Sequence, residues 1–111
     1  MASPVLACNI HAISAVQRPR YEDLVTRLRV AMRDRWELPD GYSYSLDSAK
    51  ITLAEVSEWI AMERQCCPFL TFQLEEADEA LRLTMLGPDG SKAVLGEEFP
   101  AGGQDGSCRN R

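Results

Sequence analysis

Several signatures that would assign a function directly are missing from this chain of 111 residues. It contains a single histidine, so a histidine-based hydrolase would depend entirely on His11. The glycine-containing turn Gly87-Pro88-Asp89-Gly90 lacks the lysine and the spacing of a phosphate-binding loop. No serine stands in a nucleophile elbow, and no Cys-x-x-Cys redox motif occurs. These absences leave the four cysteines as the residues whose role needs an explanation.

Excess positive charge and long apolar runs are also absent. The chain has 12 Lys+Arg against 17 Asp+Glu, a net charge of −5, whereas nucleic-acid-binding surfaces carry clustered positive charge. No stretch approaches the roughly 18 apolar residues of a membrane-spanning helix. Residues 1–17 lack the basic start and the continuous apolar segment of a secretory signal. We therefore predict no nucleic-acid partner, no membrane contact and a cytoplasmic location, where unliganded thiols stay reduced.

The length and composition fit one globular domain. Of the residues, 45% are hydrophobic and 26% are charged, which is ordinary for a protein with a packed core. We predict a single domain over residues 1–99. We expect the remaining residues, 100–111, to form a disordered tail, because this glycine-containing segment has almost no apolar side chains to bury.

Hydrophobic periodicity predicts the element order β-α-β-α-β-β-α. Apolar residues on both faces of Val5–Ser14 indicate a first strand, and an apolar stripe from Tyr21 to about Trp36 indicates a first helix. The later segments carry local signals of the same kind: a turn at 38–41, a strand over Tyr42–Leu46, a capping box at Thr52 and Glu55 that begins a second helix, a hairpin of residues 70–75 and 81–85, and a short helix over 91–99.

This order predicts a two-layer α+β fold. We expect the helices to pack on one face of a mixed, mostly antiparallel sheet of about four strands. A helix placed between two strands requires a crossover connection, so the sheet has room for one parallel pair.

The residues most suited to chemistry lie in the segment Glu63–Phe72. Cys66 and Cys67 are adjacent at the predicted junction of the second helix with the next strand, where Pro68 ends the helix. A disulfide between neighbours closes a strained ring, so such a pair suits a shared soft, thiophilic centre better than a stable bridge. Glu63 precedes the two cysteines by three and four residues, which places it on the same helix face.

Two thiols do not complete a closed zinc site, which takes four nitrogen or sulfur ligands. Cys8, on the first predicted strand, is the candidate for a third thiol. His11 follows Cys8 by three residues, and in a regular strand that spacing puts the two side chains on opposite faces, which argues against a shared ligand role. Cys108 falls in the predicted tail and is interpreted as an incidental exposed thiol.

Two other interpretations of the cysteines stay open. Cysteine is among the most buried residue types, so Cys67 could end the apolar stripe of the helix and Cys8 could fill the sheet. The domain would then bind a protein partner, or form a homodimer through its hairpin. Alternatively, Cys66 or Cys67 is a nucleophile in thiol redox or detoxification chemistry, which predicts a thiol with a depressed pKa.

The segment Glu63–Phe72, followed by Leu81–Thr84 and Gly87–Gly90, resembles a group of small uncharacterised bacterial proteins that share a Cys-Cys-Pro-Phe sequence. It is also similar to a C-terminal domain of some MerR-type metal- and stress-responsive regulators. The resemblance implies a metal- or ligand-sensing module in which Cys8, Cys66 and Cys67 occupy the cysteine positions.

These observations lead to one principal hypothesis. The chain is a small α+β protein that binds a soft metal or metalloid, such as Zn(II), Hg(II), Cu(I) or As(III), through Cys8, Cys66 and Cys67, with Glu63 as an auxiliary ligand. Because each thiol must lose its proton to bind, such a site depends on pH.

Overall fold

A computed structural model describes residues 10–78 and 80–100 of the chain. Its elements in chain order are a 3-10 turn at Ile10–Ala12, α1 (Arg18–Ala31), β1 (Met32–Leu38), β2 (Gly41–Asp47), α2 (Leu53–Cys66), β3 (Thr71–Ala77), β4 (Ala80–Leu86) and α3 (Ser91–Glu98). The α+β class and the sheet of four strands are confirmed. None of the helices in these two ranges has the length and apolar character needed to cross a membrane.

The sheet has the strand order β1-β2-β4-β3, and every neighbouring pair is antiparallel. It consists of two hairpins, β1-β2 and β3-β4, joined along β2 and β4. Because β2 and β3 are each antiparallel to β4, they run parallel to one another with β4 between them. The expected crossover is therefore made by α2 rather than by the first helix, and it joins strands that are not neighbours. The described sheet contains no parallel pair of adjacent strands.

The helices pack on one face of the sheet, as predicted. Along β4 the side chains of Leu81, Leu83 and Met85 are buried, and Leu83 pairs with the buried Tyr44 of β2. The intervening residues face away from the helices, and there the hydroxyls of Ser43 and Thr84 lie 3.0 Å apart. The alternation of strand side chains thus separates an apolar, helix-covered face from a more polar, open one.

The first predicted helix ends five residues before Trp36. The chain leaves the helix at Met32, where the backbone is extended (φ −68°, ψ 128°), and continues at once into β1. Residues 32–38 pair with β2, and Trp36 stands opposite Ser43 on the open face. The apolar side chain of Trp36 fits a helical stripe by spacing alone. Tertiary strand pairing overrides this weak local preference.

The predicted strand over Val5–Ser14 is wrong for the part of it that the structure describes. Residues 10–12 form a 3-10 turn, and Ile13 is buried against the helices rather than paired in the sheet. The backbone oxygen of Ile13 accepts a hydrogen bond from Nε of Arg18 at 3.1 Å, so this segment leads directly into α1. Residues 5–9 lie outside the described ranges. His11 is exposed in the 3-10 turn and not on a strand, so the expected separation of His11 from Cys8 on opposite strand faces has no basis.

The remaining elements agree with the sequence-based predictions within a few residues. Strand β2, the β3-β4 hairpin and α3 all form where alternation and turn residues place them. The end of α3 is held by the core: the backbone oxygen of Phe99 accepts hydrogen bonds from Tyr44 Oη at 2.9 Å and from Arg35 Nη1 at 3.2 Å. Residues 101–111, most of the predicted tail, lie outside the described ranges.

Candidate functional site

The two cysteines lie at the C-terminal end of α2. The helix starts with the predicted capping box, in which Thr52 Oγ1 accepts from the Glu55 N–H at 3.1 Å and Glu55 Oε1 accepts from the Thr52 N–H at 3.0 Å. Cys66 is its last residue, and Cys67 caps it. Pro68 has no N–H to continue the helix, so the chain turns there toward β3. Both cysteines are buried.

The helix end also carries Glu63 into the same small volume. The sulfur atoms of Cys66 and Cys67 are 3.7 Å apart. Together with a carboxylate oxygen of Glu63, they form a buried group whose atoms all lie within 4.8 Å of one another. Three of the four residues predicted to hold a metal are thus brought together. The fourth, Cys8, lies outside the described residues, as does Cys108.

Tyr21 of α1 completes the cluster, although no sequence pattern marks it as a site residue. Its hydroxyl donates to Glu63 Oε1 at 2.6 Å and lies 3.8 Å from the sulfur of Cys66. Tyr21 stands one helical turn before Val25 on the apolar stripe of α1, which signals partial burial. The stripe does not show which groups on another helix, more than 40 residues away, meet the hydroxyl.

Burial raises the pKa of three acids in this cluster, Glu63, Cys66 and Tyr21. The pKa of Glu63 is raised because its carboxylate is removed from water. Burial, and after it the negative charge of Glu63, raises the pKa of Cys66 to about 11. The pKa of Tyr21 is raised for the same two reasons. The cluster therefore disfavours the accumulation of negative charge unless a positive centre is bound within it.

The two neighbouring cysteines differ in oxidation state. Cys66 is a free thiol, whereas Cys67 is disulfide-bonded. The bond therefore does not join the two neighbours, in agreement with the ring strain expected for such a link. As a consequence, both sulfur atoms can act as thiolate ligands only after the disulfide at Cys67 has been reduced.

A cleft of about 360 Å³ adjoins the cluster. Its lining includes Tyr21, Val25, Thr26 and Arg29 from α1, Cys66 from α2, and Glu98 from α3. Arg29 and Glu98 approach each other across it, with Nη2 and Oε1 3.5 Å apart. Cys66 is the cysteine of the cluster that lines this cleft. A small molecule in the cleft therefore lies next to the sulfur of Cys66.

We expect Cys66 to react slowly with iodoacetamide in the folded protein near pH 7.5. Its pKa of about 11 leaves only a small thiolate fraction at that pH, and the thiolate is the reactive form. The rate should rise about 10-fold per pH unit from pH 7.5 to 10. Mass spectrometry of peptides can measure the rate and locate the label on Cys66 rather than on Cys67. A rate at pH 7.5 equal to that of a short cysteine peptide would contradict this expectation.

Fold and site together define a two-layer α+β protein with a buried Cys-Cys-Glu cluster beside a small cleft. Comparison with models of protein families, with curated proteins and with solved structures found no match. The resemblance of Glu63–Phe72 to the Cys-Cys-Pro-Phe proteins and to the MerR-type regulators therefore stays a prediction.

Proposed function

We propose that this chain is a cytoplasmic protein that, in its reduced form, binds a soft metal or metalloid through Cys66, Cys67 and Glu63. The observation that carries the proposal is the 3.7 Å separation of the two sulfur atoms. Two sulfurs bonded to one centre at about 2.3 Å with a tetrahedral angle stand about 3.8 Å apart. Linear two-coordinate binding would need about 4.6 Å, so the spacing favours Zn(II) or As(III) over Hg(II) or Cu(I) bound by this pair alone.

Glu63 supports the same proposal. One of its carboxylate oxygens lies within 4.8 Å of both sulfur atoms, a distance from which it can ligate the bound centre or accept a hydrogen bond from a ligand on it. The hydroxyl of Tyr21 donates to Oε1 of this carboxylate at 2.6 Å and restricts its orientation. A bound cation would also offset the burial of negative charge on Glu63 and on the two thiolates.

The oxidation state of Cys67 sets a condition on binding. A sulfur atom in a disulfide is not a thiolate, so the protein with Cys67 disulfide-bonded offers Cys66 as the single thiol of the described cluster. Reducing conditions, such as those of the cytoplasm, supply the second thiol. Cys8, the remaining predicted ligand, would add a third.

The test is a calorimetric titration of the reduced, full-length chain with arsenite and with Zn(II), which measures the affinity for each. We expect Cys66→Ser and Cys67→Ser each to weaken binding by roughly 100-fold or more, because each removes one sulfur–metal bond. Cys108→Ser is the matched control and should leave the affinity unchanged. Cys8→Ser shows whether a third thiol takes part. Equal, weak binding by the wild type and both site variants would refute the proposal.

Thiol–disulfide chemistry is a second candidate, favoured by one observation: the free thiol of Cys66 lies 3.7 Å from a sulfur that is already disulfide-bonded. The raised pKa of Cys66 opposes it, since a reactive thiol needs a depressed pKa. The labelling experiment above separates the two candidates, because rapid alkylation of Cys66 at neutral pH would favour the redox role.

A third interpretation is that the cysteines only fill the core. In that case, replacing both by alanine changes the stability of the fold but does not change any response to a ligand.

A further inference from the structure

We infer that the reduced site accepts trivalent arsenicals that carry one organic group, of the class R–As(OH)₂, and that the cleft beside Cys66 holds the organic group. This inference rests on the proposed function, since it uses the same two thiols. It goes further by naming a substrate class and by assigning a role to a cleft that a bare ion would not need. The carrying observation is that one of the two paired thiols, that of Cys66, lines a cleft of about 360 Å³.

The chemistry matches two adjacent thiols. The arsenic of R–As(OH)₂ has two exchangeable hydroxyl groups and one arsenic–carbon bond. When the two thiols bind, two As–S bonds form and two As–O bonds break, and each hydroxyl leaves as water with the proton of one thiol. The disulfide at Cys67 is first opened by a phosphine reductant, which takes up oxygen as it is oxidised and leaves two thiols. From the reduced protein onward, arsenic stays in the +3 state and the sulfurs are not oxidised, so binding itself needs no oxidant or reductant. The pair Cys66 and Cys67 fills both open positions of such a centre.

The geometry places the organic group in the cleft. Once two sulfur atoms hold the arsenic, its third bond points away from both of them. Glu63 lies on the buried side of the cluster, where its carboxylate accepts a hydrogen bond from the Tyr21 hydroxyl at 2.6 Å, while the ring of Tyr21 lines the cleft. The cleft between α1 and the end of α3 adjoins Cys66. The substituent of a bound arsenical therefore extends into it.

The size and lining of the cleft favour a small, uncharged substituent. A cavity of about 150 Å³ is enough to hold benzene, so a cleft of about 360 Å³ accommodates a phenyl-sized group. The aliphatic side chain of Val25 and the ring of Tyr21 provide apolar surface. The charged groups at its edge are Arg29, Glu22 and Glu98, an excess of negative charge that disfavours anionic substituents.

The experiment compares phenylarsine oxide, methylarsonous acid and arsenite on the reduced, full-length protein by calorimetry. We expect phenylarsine oxide to bind the wild type roughly 10-fold or more tightly than methylarsonous acid, because burying a phenyl ring removes a large apolar surface from water. Thr26→Trp, which places an indole in the cleft, should reduce the affinity for phenylarsine oxide by roughly 10-fold or more. It should leave arsenite binding within about twofold.

Val30→Trp is the matched control, since Val30 lies on the same helix, is 59% exposed and does not line the cleft. Val30→Trp should change neither the affinity for phenylarsine oxide nor the affinity for arsenite. If Thr26→Trp loses its circular dichroism signal, Thr26→Phe and the wild-type comparison of phenyl with methyl provide the same test. Binding of all three arsenicals with one affinity, insensitive to Thr26, would overturn the inference while leaving the thiol site intact. Failure of every arsenical and of Zn(II) to bind would instead overturn the proposed function.

Discussion

Replacing Trp59 by alanine is expected to lower the free energy of unfolding by about 3–5 kcal/mol, the usual range for deleting a fully buried tryptophan. Trp59 of α2 is 0% exposed. Its ring meets Phe72 of β3 and Phe99 after α3 edge to face, with ring centroids 5.6 and 5.7 Å apart. The substitution therefore removes contacts that join three parts of the fold and leaves a large cavity at their junction. The loss can be measured by urea unfolding followed by far-ultraviolet circular dichroism.

Two variants test the reason for this loss. Trp36→Ala removes the other tryptophan, which is 43% exposed on the open face beneath the guanidinium of Arg82, and should cost less than about 1 kcal/mol. Trp59→Phe should cost much less than Trp59→Ala. It keeps a ring in the core and removes the indole N–H, which is buried with no hydrogen-bond partner among the described residues. Similar losses for Trp36→Ala and Trp59→Ala would show that burial does not explain the result.

Replacing Gly41 by alanine should destabilise the protein by about 3 kcal/mol, the upper end of the usual range for overpacking. Gly41 begins β2 and pairs with Leu38 on one side and Leu86 on the other. A Cβ atom at this position would lie 1.9 Å from the backbone oxygen of Met85. Because the obstacle is backbone rather than a flexible side chain, the strands would have to separate.

The matched control is the same substitution in α3. A Cβ atom on Gly96 would have its nearest neighbour, Tyr42 Oη, at 3.5 Å, which is an ordinary contact. Alanine is favoured over glycine within a helix, so Gly96→Ala should stabilise the protein by about 0.5–1 kcal/mol. Thermal and urea unfolding should thus give opposite signs for the two variants. A loss of stability in both variants, or a gain of stability in both, would contradict the steric explanation.

Local sequence patterns predicted most of the helices and strands because the interactions that start and end these elements join residues close in the chain. The capping box of Thr52 and Glu55 satisfies backbone groups within one helical turn, and Pro68 acts on the residues beside it. The hairpin of β3 and β4 follows from strict alternation on both sides of a short turn. These elements form nearly where the sequence places them.

Strand β1 shows where local patterns are insufficient. Residues 32–36 continue the apolar spacing of α1, and their spacing alone does not separate helix from strand. Their conformation is decided by pairing with β2 through the turn at 39–40. The described residues before α1, in contrast, have no sheet neighbour and pack as a 3-10 turn. A short apolar segment takes its structure from its partners.

The sequence by itself determined that Glu63 and Cys66 lie on one face of α2, because residues three apart meet on any α-helix, and that Cys67 follows at the helix end that Pro68 sets. Tertiary structure alone decided that Tyr21 hydrogen-bonds to Glu63, that a cleft reaches Cys66, and that burial raises the pKa values of the cluster. These properties depend on how α1 and α3 pack against α2. Such contacts join residues far apart in the chain, and no local spacing encodes them.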